Sequence, residues 1–205
     1  MTDVLERYGW IGGPIGTMCL IAIAGALALD PGSLRDRIVF ALIALGAAAW
    51  AACLVGCGYV HGRRDNLSLW SGISVAAIGL VAWAAGWAGF FVADTGSGRE
   101  SSMTGLLVYT VIALGAIGVV MGLAVFGAGT VQAKVLPRWG RITPLAMAAS
   151  LPLAALVNRL RDERSILLNS VAFLVFLLGW VVLGVATRVG YMSSLDAAPP
   201  EPPSA

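Results

Sequence analysis

Apolar residues in this chain come in long runs, broken by short polar stretches. A helix of roughly 18 or more apolar residues is long enough to cross the hydrocarbon core of a bilayer. Six runs approach or exceed that length, at 10–29, 38–60, 69–93, 104–128, 142–157 and 165–187. The connectors "DPGSLRDR", "HGRRDNLS" and "DTGSGRESSM" are short and turn-forming. Connections of that length place consecutive helices antiparallel. The pattern predicts an all-α integral membrane helical bundle of six transmembrane helices.

The fifth run keeps an alternative open. "ITPLAMAASLPLAALV" is about 24 Å long as a helix, and it contains Pro144 and Pro152. Pro144 suits a first turn, whereas Pro152 removes an internal hydrogen bond. The run reads either as a thin, kinked crossing or as an interfacial helix beside five crossings. It has no clear amphipathic stripe, which disfavours the interfacial reading. Residues 1–190 form a single bundle on this reading. Residues 191–205, rich in proline, read as a disordered tail. Ahead of the first run, Asp3 and Glu6 offset Arg7, unlike the positive start of a signal peptide. Ala26 and Ala28 fit a cleavage pattern, but an uncleaved helix is expected because the second run follows so closely.

Composition agrees with this picture. Of 205 residues, 59% are hydrophobic and 12% charged, about half the charge of a typical soluble domain. The net charge of +2 and the lack of a basic, aromatic-laced cluster exclude nucleic acid as a partner. The lipid bilayer is the expected surroundings. The three cysteines are odd in number and all lie inside apolar runs, so they do not describe a disulfide framework.

Cations set the orientation of a multi-pass protein. Six crossings divide them seven against six, and five crossings divide them nine against four. Both arrangements place the amino terminus and the loop "QAKVLPRWGR" in the cytoplasm. In that loop, Lys134, Arg138, Trp139 and Arg141 read as a lipid-interface anchor, as do Arg63 and Arg64 of "HGRRD". Trp10 and Trp70 are expected at membrane boundaries.

Candidate chemistry centres on "CLVGCGYVH". Cys53, Cys57 and His61 recur every four residues, so on a helix they fall near one face. From first to last they drift about 80° around the axis and about 12 Å along it. One metal ion, with bonds of about 2.0–2.3 Å, reaches two neighbours of the three at most. Further ligands would come from other helices, with Cys19 as the outside candidate and Cu(I) as the fitting ion. The plainer reading is packing. The second run is crowded with Gly and Ala, and cysteine continues that ridge as a small hydrophobe. Gly115, Gly118 and Gly122 make a second small-residue face, and Ala85 with Gly89 a third. Such faces join membrane helices, within a chain or between copies.

No Asp, Glu, Lys, Arg or His lies in the middle of any run. Proton- and ion-coupled transport uses such residues, so it is disfavoured. The single histidine cannot supply two axial haem ligands. Nothing places it beside Ser71 or Ser74 for nucleophilic catalysis, and no catalytic constellation or cofactor motif is present. With "LPRWGR" between its fourth and fifth runs, the chain resembles a broad set of uncharacterised bacterial multi-pass membrane proteins that carry an LPRW-like loop there. The resemblance covers the layout and that loop. It implies a bacterial cytoplasmic (inner) membrane and carries no activity.

Three roles follow. The first is a non-enzymatic packing or assembly component that binds a membrane-protein partner or forms homo-oligomers through the Gly115, Gly118 and Gly122 face. The second is a channel or exporter for an uncharged or hydrophobic small solute. The third is a metal or haem accessory protein using Cys53, Cys57 and His61.

Overall fold

A computed structural model describes residues 2–27, 33–61, 67–94, 103–134, 136–157 and 163–196. All the regular structure among them is helical, as hydrocarbon requires of a chain that must satisfy its own backbone. Helix α1 (Thr2–Tyr8) runs through a 3-10 turn at Gly9–Ile11 into α2 (Gly12–Ala26). There follow α3 (Ser33–His61), α4 (Leu67–Asp94), α5 (Met103–Ala133), α6 (Thr143–Val157) and α7 (Glu163–Asp196). Five stretches are long and apolar enough to cross a membrane: Gly9–Ala26, Leu34–Val60, Leu67–Phe90, Gly105–Ala133 and Leu167–Ser193. These reproduce the expected long runs to within a few residues, apart from longer carboxyl-terminal ends to the fourth and sixth.

The six rods form three antiparallel hairpins, α2/α3, α4/α5 and α6/α7, and α7 packs back on α2 to close a ring. Helix α7 also packs on α3, across the ring. These two run parallel, with Trp180 stacked on Trp50 and Thr187 hydrogen-bonded to Cys57. The end of the bundle that holds Tyr8, His61 and Asp196 is called the near end, and the other the far end.

Close backbone approach holds the hairpins. Glycine recurs every seventh residue on α4, at Gly72, Gly79 and Gly86, and on α5 at Gly115, Gly122 and Gly129. A methyl group placed on Gly72 would strike Phe126, one on Gly79 the Val119 backbone, and one on Gly122 the Ala76 backbone. One on Gly118 would lie 3.0 Å from the Gly79 Cα. In lipid this contact matters more than side-chain hydrophobicity, because acyl tails are as apolar as leucine. The α2/α3 pair is built likewise, with Gly12 on the Ala49 carbonyl and Gly16 on the Trp50 ring.

The Gly115, Gly118 and Gly122 face is therefore covered by α4 of the same chain, which leaves it no room for a second copy. The pairing of Ala85 with Gly89 is corrected. Ala85 is exposed, and Gly86 takes the contact position, 2.6 Å from the Ile112 side chain for an added methyl. A seven-residue repeat, not a four-residue one, keeps that face on α5. Gly89 does face α5, at Val108.

Helix α6 stands upright in the ring. It is antiparallel to α7, with Met147 against Gly179, and it packs on α5 through Leu145 against Gly127. Its 15 residues span about 22 Å. Pro152 sits inside it and points outward, and the helix runs on to Val157. One terminal expectation changes. Residues 2–8 form a helix, and α7 continues to Asp196, so 191–196 are helical; residues 197–205 of the expected tail lie outside the described residues.

Core packing is uneven along the rods. From Phe176 to Thr187, α7 buries seven residues, but from Leu167 to Val175 it buries only Ala172. Helix α5 buries none of residues 105–114 and eight of 115–130. In α2, Ala26 is the one buried position after Cys19. The bundle is tight at its near end and loosely packed at its far end, where a small cluster of Ala26, Val39 and Ile43 remains.

Gly79→Ile is expected to remove about 3 kcal/mol or more by overpacking the α4/α5 seam and to abolish a cooperative melt in detergent. Ala85→Ile, one face away, should leave the melting temperature unchanged within error. Equal effects of the two would show that the seam lies elsewhere.

Candidate functional site: an apolar chamber at mid-membrane

All six rods contribute to one cavity of about 230 Å³. Leu20 of α2, Trp50 of α3 and Leu80 and Trp83 of α4 form part of its wall. Ala116 and Val119 of α5, Leu151 of α6 and Phe173 and Phe176 of α7 complete it. None of these side chains carries a charge or a hydroxyl group. Trp50, Leu80 and Val119 lie near the midpoints of their spans, so the cavity sits at mid-membrane depth. It lies where the tight near half gives way to the loose far half. Phe173, also in its wall, is 44% exposed.

An aromatic cluster closes the chamber toward the near end. Trp50 and Trp180 stack with ring centroids 4.9 Å apart and planes 9° from parallel. Phe176 meets both edge-on, at 5.6 Å from Trp50 and 6.1 Å from Trp180. Such stacked and T-shaped pairs contribute about 0.5–1.5 kcal/mol beyond area burial. The cluster fits because α2 offers glycine where bulk is excluded. Gly13 lies against the Trp180 carbonyl and Gly16 against the Cδ1–Nε1 edge of Trp50. The Nε1 atoms of Trp50 and Trp180 are buried without a hydrogen-bond partner.

Below the cluster, hydroxyl groups bond to helix carbonyls. Thr17 donates to the carbonyls of Gly13 (3.1 Å) and Leu177 (3.2 Å), the second bond joining α2 to α7. Thr187 donates to the Leu183 carbonyl at 2.8 Å.

Cys53 and Cys57 are fully buried in this near-half core. Cys53 packs against Gly13, and Cys57 against Thr187. Cys19 does not join them. It faces Gly46, two helical turns or about 10 Å along α3 from Cys53. Cys19 is therefore not available as the outside ligand, because α2 pairs with α3 several residues out of step with their run ends. His61 ends α3, but its side chain lies outside the described residues. Among the described residues no three metal-ligating side chains cluster.

Of the candidate interface residues, Lys134, Arg138, Trp139 and Arg141 lie at the near end. Arg63 and Arg64 fall outside the described residues. The loop after α5 turns at Lys134, whose φ of 53° is left-handed, a conformation common just past a helix end. Leu136 then inserts into the core, and the Arg141 Nε donates to its carbonyl at 2.8 Å. Arg138 and Trp139 are left exposed. The Arg188 guanidinium lies 4.5 Å from the Trp10 ring centroid, and Tyr59 meets Trp70 edge-on at 5.2 Å. Rings and cations gathered at one end of a bundle are the arrangement expected at a membrane boundary.

The sequence showed the cysteines but not the chamber. Its wall is drawn from six segments, and no local motif links Leu20 to Leu151 or Phe173. N-ethylmaleimide is expected to label Cys53 and Cys57 only after denaturation in SDS. Rapid labelling of the folded protein would contradict their burial. Thr17→Val should weaken the α2/α7 contact by about 0.6 kcal/mol, the average for such bonds in membranes, read as a small drop in melting temperature.

Compared with known proteins, the chain matches no family model, no curated protein and no solved structure.

Proposed function

We propose that this chain is a non-enzymatic multi-pass membrane protein that receives a small uncharged, hydrophobic solute at mid-membrane depth, as part of a channel or exporter. The chamber carries the reading. It is the one described cavity to which every rod contributes, and its wall of leucine, valine, alanine, tryptophan and phenylalanine favours an apolar occupant. A charged or polyhydroxyl solute would lose its hydration there without replacement. The loosely packed far end supplies the approach, and the stacked Trp50–Trp180 pair with Phe176 closes the path toward the near end.

Neither other role has comparable support. The glycine face suited to self-association is occupied by α4. Cys19 lies two turns from Cys53, so the metal reading lacks its outside ligand. For localisation we propose a bacterial inner membrane, with the near end and the loop containing Trp139 toward the cytoplasm. Lys134, Arg138 and Arg141 of that loop stand at the near end together with Arg7 and Arg188, the kind of cation cluster that favours a cytoplasmic side.

The test uses the purified protein in lipid nanodiscs, with thermal unfolding as the readout. Saturating cyclohexane should raise the melting temperature, as a ligand at about 100 times its dissociation constant stabilises by about 2.7 kcal/mol. Glycerol and tetramethylammonium should leave it unchanged. Stabilisation by glycerol without stabilisation by cyclohexane would overturn the reading.

A further inference from the structure

We infer that the turn after α5 binds the headgroup of an anionic phospholipid through Arg138 and Arg141, with Lys134 beside them. The inference is independent of the chamber, and it goes beyond membrane anchoring by naming the charge of the lipid that is recognised.

The turn is built to hold its shape. Leu136 is buried in the core and pins its start. The Gly140 amide donates to the Pro137 carbonyl at 2.8 Å, which puts Arg138 and Trp139 at the two central positions of a tight turn. Gly140 packs on α7, where an added methyl would lie 3.0 Å from the Ala186 Cβ. The Arg141 Nε donates to the Leu136 carbonyl, and the Thr130 hydroxyl donates to the Arg141 carbonyl at 3.3 Å. The Arg141 guanidinium is thus fixed at the base of the turn, with its terminal amino groups left for a ligand.

Charge and depth point to the occupant. Among the described residues, neither Arg138 nor Lys134 makes an ion pair or a side-chain hydrogen bond. Arg7 and Arg188 differ, since each lies over a ring, of Tyr8 and of Trp10. No Asp or Glu occurs between Glu100 and Asp162, and Asp3, Glu6, Asp65 and Asp196 belong to other segments. The membrane-spanning stretch of α5 ends at Ala133, so the turn stands at headgroup depth. Trp139, 55% exposed, accompanies the cations there, where an indole ring favours the interface. A guanidinium group pairs with two phosphate oxygens at once. A headgroup of net negative charge gains that attraction in full, whereas the ammonium of phosphatidylcholine offsets it.

The test titrates the purified protein in neutral detergent with dioleoyl phosphatidylglycerol and dioleoyl phosphatidylcholine, with bound lipid read by native mass spectrometry. Phosphatidylglycerol should bind saturably, about tenfold more tightly than phosphatidylcholine, and an equal concentration of inorganic phosphate should not displace it. Arg138→Gln should weaken its binding about fivefold, and Arg138→Gln with Lys134→Gly about 25-fold. Neither variant should change the melting temperature, because Arg138 is exposed and glycine accepts the left-handed backbone of Lys134. Arg37→Gln, which removes an exposed cation at the far end, should leave binding unchanged. Equal affinity for the two lipids, or undiminished phosphatidylglycerol binding in both turn variants, overturns the site. An equal loss in Arg37→Gln reveals an effect of total charge and overturns it too. Displacement by inorganic phosphate overturns the lipid as the ligand.

Discussion

The architecture depends on how closely two helix backbones can approach in a medium that gives apolar side chains no reason to leave it. In water, leucine and phenylalanine would drive the rods together. In hydrocarbon they gain little by doing so, and cohesion comes from dispersion and shape. The seven-residue glycine repeats of α4 and α5 answer that constraint. Gly72, Gly79 and Gly86 meet a partner helix whose own glycines fall at the same interval, so backbone lies on backbone over the whole hairpin. Large residues then serve a different purpose. Where glycine on α2 leaves space, Trp50 and Trp180 turn inward and fill the near half of the bundle.

Uneven packing follows from where these devices end. The contacts of α7 with α2 run from Gly184 against Trp10 to Leu177 against Thr17. Beyond that level α7 buries only Ala172 before Phe176 and turns mostly outward-facing leucine, valine and phenylalanine to its surroundings. The short α6 and its partner α7 thus share a tight near half with the other rods and a loose far half. The chamber lies at the transition, floored by the aromatic cluster. One gradient in packing thus leaves an apolar space at the centre of the bundle, whose core holds no charged side chain among the described residues.

Cysteine spacing illustrates how a local pattern misleads. Cys53 and Cys57 share a helix face, as their four-residue interval requires, but the face is pressed against Gly13 and Thr187. Their thiols fill volume between three helices. The glycines at 115, 118 and 122 show the opposite case. They were legible as a contact face because small residues at helical spacing have few other uses in lipid, yet whether α4 or another molecule would cover them is a tertiary fact. Ala85 was misplaced by one residue for a related reason: intervals of four and seven share a face over one or two turns, and only the partner's position separates them.

The sequence alone determined the solvent, the helical class and the extent of the long rods, because an unsatisfied peptide group in hydrocarbon is so unfavourable that twenty apolar residues leave helix as the one outcome. It also determined the antiparallel order of neighbours, through connectors too short for any other path. The tertiary structure decided the rest: that α6 stands upright, that α7 returns to α2 and α3, that Cys19 lies two turns from Cys53, and that nine residues from six rods surround one apolar space. Those outcomes depend on helix offsets of a few residues and on which face turns inward. In a uniformly apolar sequence no polar stripe records that choice, so it is made by the fit of one helix surface against another.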